Sequence, residues 1–211
     1  MRAHHVVFFC LSSLAPFATP LPADVVSASE HQTVAEHGEC RSVTVIFARG
    51  TTEGGNVGSL TGPPFFDALD ETLGEGAAAV QGVDYPADIN GYLSGGSTDG
   101  ARTMASLTRT AASQCPDTDI VLSGYSQGGQ LVHLAAEQLQ DAIAKRVTAV
   151  VIFGDPLNGE PVAGIDPSKV KIICAEDDSI CDGKPLISSA HLQYSEDADT
   201  AAQFVAEHVS I

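Results

Sequence analysis

An α/β three-layer sandwich, with a mostly parallel five-stranded central sheet and helices on both faces, is the fold class this 211-residue sequence predicts. Three observations carry it. Short apolar runs rich in β-branched residues recur along the chain, and stretches with helical spacing separate them. The strand-like runs are apolar almost without interruption, as strands buried on both faces of a parallel sheet are. The composition, 44% hydrophobic with 6% aromatic and no Trp, is rich in Ala and Gly, which suits close packing of helices on a sheet.

The first strand is Val43–Ala48, and it runs into Arg49-Gly50-Thr51-Thr52-Glu53, a loop dense in glycine and hydroxyls. Pro63-Pro64 opens a helix over 65–73, with Gly74 behind it. A weaker strand, 77–83, leads through Asp84-Tyr85-Pro86 to a loop over 90–96. Ser97-Thr98-Asp99 then starts a helix over 101–113. The third strand, 119–123, enters Gly124-Tyr125-Ser126-Gln127-Gly128-Gly129. Beyond it Leu131, Leu134, Ala135, Leu139, Ala142 and Ile143 recur on one helical face. A fourth strand, Val147–Phe153, precedes Gly154-Asp155-Pro156; a short fifth covers 170–174, and a terminal helix covers 200–209. No internal repeat or low-complexity tract interrupts this order, so one domain over 39–211 is expected.

The first 23 residues have the make-up of a secretory signal: Arg2, His4 and His5 precede the apolar run Val6 to Leu11, and Ala15, Ala18 and Ala23 offer small residues for cleavage. That run is too short to span a bilayer. Residues 24–38, with His31 and His37, form a polar arm outside the fold. Ten Lys and Arg against 27 Asp and Glu give a formal charge of −17. Such a surface repels phosphates, which speaks against nucleic acid or anionic membrane as partners and for a soluble protein acting on neutral substrates; a secreted monomer is expected.

Cys10 leaves with the signal, and the four remaining cysteines argue for two disulfides in a secreted chain. Three pairings are possible. Cys174 and Cys181 are close enough for a local staple, which would leave Cys40 to Cys115. A zinc site would want C-x-x-C spacing or a nearby histidine, and neither is present.

Gly-Tyr-Ser-Gln-Gly is a G-x-S-x-G turn between a strand and a helix, the setting in which a serine is held exposed at a strained bend. A serine hydroxyl becomes a useful nucleophile only with a histidine to take its proton and a carboxylate to orient that histidine. Three histidines follow Ser126. His133 lies within the next helix, off its apolar stripe, and is expected to be structural; His208 lies in the terminal helix, facing solvent; His191 lies in a loop beyond the fifth strand, able to return over the sheet edge. The acid can be Glu176, Asp177 or Asp178 inside the proposed staple, or Asp155 after the fourth strand. Spacing does not choose among them. Two donors are needed for a developing oxyanion. Gln127 at the helix start supplies one; the 49–53 loop, with the hydroxyl of Thr51, fits the other, although that motif alone reads equally as an ordinary glycine-rich loop.

Taken together, Arg49-Gly50-Thr51-Thr52-Glu53, Gly124-Tyr125-Ser126-Gln127-Gly128-Gly129, the Cys174 to Cys181 loop and His191-Leu192 resemble a cutinase, a small secreted serine esterase of the α/β-hydrolase fold without a large lid. The similarity runs from about Cys40 to the C-terminus. The resemblance implies a catalytic set of Ser126, Asp178 and His191, an oxyanion hole of Thr51 and Gln127, the disulfides Cys40–Cys115 and Cys174–Cys181, and no metal or cofactor. It also implies that Leu186 and Ile187 line an acyl groove in a site open to bulky esters such as cutin. An acetylxylan esterase or a lipase shares the same elbow, and a non-catalytic binding protein could keep the fold. The acidic surroundings of His191 favour its charged form, so activity should fade on the acid side of neutrality.

Overall fold

The computed structural model describes Met1 and residues 40–211. Apart from Met1, the expected signal with its Cys10, and the polar arm over 24–38, therefore lie outside the described residues. Five strands form one sheet: β1 (Val43–Ala48), β2 (Ala78–Gly82), β3 (Asp119–Tyr125), β4 (Val147–Phe153) and β5 (Val170–Ile173). Their order across the sheet is β2-β1-β3-β4-β5, and every neighbouring pair is parallel.

Strand alternation divides the apolar residues between two cores. On one face Ile46, Leu122, Val150 and Ile152 pack with Met104 and Ala105 of α3 (Thr98–Gln114) and with Leu131 and Ala135 of α4 (Gln127–Ala136). On the other, Val45, Phe47, Val121, Val151 and Phe153 meet Phe65 and Leu69 of α1 (Gly62–Leu73) and Ala201 and Val205 of α6 (Ala198–Ala206). Each large apolar side chain taken out of water in this way contributes about 1.5 to 3 kcal/mol before entropy is charged against it. The near-continuous apolar character of β1, β3 and β4 is thus explained: both of their faces are covered, while the edge strands β2 and β5 are only partly buried.

Local differences from the sequence reading have physical causes. Residues 90–96 are not all loop, because α2 (Ile89–Leu93) forms under the cap of Asp88, whose carboxylate accepts from the Gly91 N–H at 2.7 Å. Three glycines, Gly91, Gly95 and Gly96, hid that cap. The helix after the elbow is also shorter than its apolar spacing suggests. It ends at Ala136, and a separate turn, α5 (Asp141–Ala144), follows. The spacing persists because Leu139 and Ile143, although off the helix, pack on the same core.

The chain leaves β1 for β2 on one side and leaves β3 for β4 on the other, so their carboxyl-end loops part and open a crevice. Thr51 and Ser126 stand at its two sides. Cys40 is bonded to Cys115 at the end of α3, closing a loop with a sequence separation of 75. By loop-closure entropy such a bond is worth about 4 kcal/mol, against about 2 kcal/mol for a bond spanning only a short loop.

Candidate active site

Ser126 occupies φ 56°, ψ −119°, a region that a side chain rarely adopts, with its N–H donating to the Phe153 carbonyl at 2.9 Å. Such strain costs about 1 to 3 kcal/mol and persists because the packing around it leaves no alternative. The next turn of chain lies close against β1: a Cβ at Gly128 would stand 1.9 Å from the carbonyl oxygen of Ala48.

The Ser126 hydroxyl lies 2.9 Å from His191 Nε2, and His191 Nδ1 lies 2.8 Å from Asp178 Oδ2. All three residues are buried. A carboxylate only accepts, so Nδ1 carries the proton, and Nε2 of the neutral ring is left to accept from the serine hydroxyl. Asp178 is held by the turn it caps, Oδ1 accepting from the Ile180 N–H at 3.0 Å. The Cys174–Cys181 disulfide closes the same loop. With so short a loop, its effect is mainly to keep the carboxylate in place.

The other acids and histidines stand apart from this set. Glu176 and Asp177 are exposed. Asp155 is fully buried, but its Oδ2 lies 2.9 Å from His133 Nε2 and its Oδ1 accepts from the Leu157 N–H. His133 therefore ties α4 to the exit of β4. His208 differs from expectation. It is half-buried rather than solvent-facing, with Nδ1 2.8 Å from the Phe204 carbonyl and Nε2 2.9 Å from the Ser168 carbonyl, because the end of α6 packs on the turn over Pro167–Lys169.

Gln127 is the first residue of α4, and its backbone N–H belongs to the donors that a helix start leaves without an intrahelical acceptor. Its side chain does something the sequence did not suggest. Nε2 sits 2.9 Å from both the Asp88 carbonyl and Thr51 Oγ1. A carbonyl can only accept, so the atom facing Asp88 is the NH₂ group, and Thr51 Oγ1 must accept from it as well. The Thr51 hydroxyl proton is thereby left free for another acceptor. The Thr51 loop is rigid: Glu53 accepts from the N–H groups of Gly50, Ser59 and Leu60, and Arg49 donates to the carbonyls of Glu53 and Tyr85.

Two grooves meet at Ser126. One, about 360 Å³, is lined by Thr52, Glu53, Ser59, Leu60, His191 and Leu192; the other, about 190 Å³, by Ile89, Tyr92, Leu93, Ile180 and Pro185. Thr51, Ser126 and Ile187 belong to both. Apart from Met1 and Ile211, the large apolar side chains exposed among the described residues are Leu60, Ile89, Leu93, Leu186, Ile187 and Leu192. All of these but Leu186 line a groove. Among the described residues no group of three or more His, Cys, Asp or Glu is placed to hold a metal ion.

Two tyrosines complete the surroundings. Tyr125 donates to the His191 carbonyl at 2.8 Å and lies beside its ring, centroids 5.2 Å apart; Tyr194 donates to Asp178 Oδ2 at 2.5 Å. Their signals in the sequence were slight, an aromatic inside the elbow and another three residues after His191. Burial raises the pKa of Tyr85, Tyr125 and Tyr194 well above the usual phenol value. The native state then keeps protons that the unfolded chain sheds, so this stabilisation is complete below pH of about 10 and is lost as pH rises through the folded-state values. Spectrophotometric titration should show only Tyr92 of the four tyrosines ionising before unfolding, the other three phenolates appearing together with loss of structure.

A serine at a strained strand-to-helix turn, a histidine within hydrogen-bond reach and a buried carboxylate behind it, all on a parallel α/β sheet, define the serine-hydrolase class. The cutinase family's sequence profile matches residues 39–209, and the chain belongs to that family. A cutinase of Pyrenopeziza brassicae is 48% identical over 189 residues, covering 90% of this chain and 89% of its own. The structure of Trichoderma reesei cutinase in complex with a C11Y4 phosphonate inhibitor superposes with a TM-score of 0.81 at 46% identity, over 87% of this chain and 82% of that one. The catalytic core of a Trichoderma reesei acetylxylan esterase, at 24% identity and TM-score 0.64 over 81% of this chain and all of its own, shares the fold.

Proposed function

We propose that this protein is a secreted carboxylic ester hydrolase that cleaves aliphatic polyester of the cutin type and short-chain acyl esters, with Ser126 as nucleophile, His191 as general base and acid, and Asp178 as the acid that orients it. The observation that carries this is the continuous chain of hydrogen bonds from Ser126 Oγ through His191 to Asp178, at the junction of two open grooves. His191 takes the hydroxyl proton as Ser126 attacks the ester carbonyl. Negative charge on the carbonyl oxygen is met by the Gln127 N–H and the Thr51 hydroxyl. His191 then gives its proton to the departing alcohol, and water repeats the sequence to release the acid.

The alcohol must leave from the side where His191 can protonate it. Only the larger groove contains His191, so it takes the alcohol, and the groove between α2 and Pro185 to Ile187 takes the acyl chain. The rim of exposed Leu and Ile side chains suits an insoluble aliphatic surface better than a sugar polymer. Two disulfides and a signal-like leader support export to an oxidising compartment, where the protein would act as a monomer.

Side-by-side rates on p-nitrophenyl butyrate, p-nitrophenyl palmitate, acetylated xylan and a cutin film test the substrate class. The expected result is release of hydroxy fatty acids from cutin, faster turnover of butyrate than of palmitate, and little acetate from xylan. Acetate release from xylan as the dominant activity would move the assignment to an acetylxylan esterase.

A further inference from the structure

Tyr194 is 1% exposed, so its hydroxyl needs partners inside the protein. It accepts from the Ala175 N–H at 3.0 Å and lies 2.5 Å from Asp178 Oδ2. That carboxylate oxygen is the one facing His191 Nδ1. Because burial holds the phenol in its protonated form, the bond to Asp178 is a donation to the carboxylate. One oxygen therefore receives two protons' worth of hydrogen bonding, from the imidazole and from the phenol.

The arrangement leaves the phenol little freedom. The Tyr194 ring stands edge-on to His191 at 6.0 Å between centroids and 90° between planes, and against Tyr125 at 5.9 Å. A Cβ at Gly154 would lie 2.7 Å from the Tyr194 ring and 2.8 Å from that of His191, so β4 ends tightly beneath both. The other titratable groups that bear on this cluster are Tyr125, Tyr92 of α2 and, through Tyr125, Glu53; the Cys174–Cys181 disulfide beside Asp178 does not titrate.

We infer that Tyr194 is a positioning residue for ester hydrolysis: its hydroxyl fixes the rotation of Asp178 and draws off part of the carboxylate charge, setting how strongly Asp178 holds the imidazolium of His191. The inference rests on the proposed Ser126, His191 and Asp178 mechanism. Too strong a pull would keep His191 protonated and unable to accept from Ser126. Too free a carboxylate would let the imidazole turn.

The test is the pH profile of kcat/KM for p-nitrophenyl butyrate with Tyr194→Phe, and with 3-fluorotyrosine installed at 194, beside the wild type and Ser126→Ala. Losing the donor concentrates charge on Asp178, which stabilises the imidazolium. The acid limb in Tyr194→Phe should therefore move to higher pH by about half a pH unit or more, with kcat falling roughly tenfold and KM little changed. The more acidic fluorophenol donates more strongly and should move the limb the opposite way. If Tyr194→Phe fails to fold, the fluorotyrosine protein decides alone. A lower melting temperature with the acid limb unmoved in the folded proteins makes Tyr194 a packing residue and overturns the inference, while activity lost in Ser126→Ala leaves the mechanism standing. An inert folded wild type overturns both.

Discussion

Ser126→Ala is expected to lower kcat/KM on p-nitrophenyl butyrate by roughly 10⁴- to 10⁶-fold while leaving the fold in place. Only the hydroxyl is removed, and it is hydrogen-bonded to His191 Nε2. The strained backbone at φ 56° is carried by the packing of β3, α4 and β4, which alanine preserves. Whatever residual rate survives would come from charge stabilisation by the proposed oxyanion donors, Thr51 and Gln127, with water as nucleophile. The measurement is steady-state kinetics on both proteins, with melting temperatures to show that the variant is folded. A loss of only a few-fold would mean that the bond being broken is attacked by something else.

Gly128→Ala should have the largest effect on stability. The added methyl would sit 1.9 Å from the Ala48 carbonyl, and 2.8 Å from that of Arg49, so it meets backbone rather than a side chain that could turn aside. Relief requires α4 to withdraw from the end of β1, and the same movement would carry Gln127 away from Thr51. Overpacking against backbone at a buried turn costs about 3 kcal/mol or more, which for a domain of this size lowers the melting temperature by about 10 °C. Activity should fall further than stability predicts, because the proposed oxyanion donors, Thr51 and Gln127, part from each other. Thermal unfolding together with kcat/KM at a temperature where the variant is folded separates the two effects. Unchanged activity in a destabilised Gly128→Ala would show that the oxyanion donors do not depend on this contact.

The three central strands were legible because burial on both faces writes near-continuous apolar, β-branched runs, and β1 and β4 coincide with their runs to the residue, whereas the half-buried edge strands β2 and β5 left shorter and weaker signals. Short elements outside the main helices and strands were harder to read. The short helix α2 depends on one cap, Asp88, among glycines that argue for loop, and the spacing beyond Ala136 came from Leu139 and Ile143 covering a core they reach from turns. Ser126 was visible because its turn demands a fixed pattern of small residues. The proposed acid could not be chosen from spacing, since Glu176, Asp177 and Asp178 are chemically alike and only three-dimensional burial separates Asp178 from its exposed neighbours. The side-chain role of Gln127 and the bond from Tyr194 to Asp178 were illegible for the same reason: they join segments 76 and 16 residues apart, a relation that no local pattern encodes.

The most direct test of the central claim is covalent labelling of the purified protein with an alkyl p-nitrophenyl phosphonate, whose tetrahedral phosphorus is captured only by an activated nucleophile. The expected result is one adduct per chain, release of one equivalent of p-nitrophenol, the added mass on the peptide containing Ser126, and loss of esterase activity in step with labelling. A folded, esterase-active protein that takes up no label, or takes it on a different residue, would contradict the assignment of Ser126 as the nucleophile.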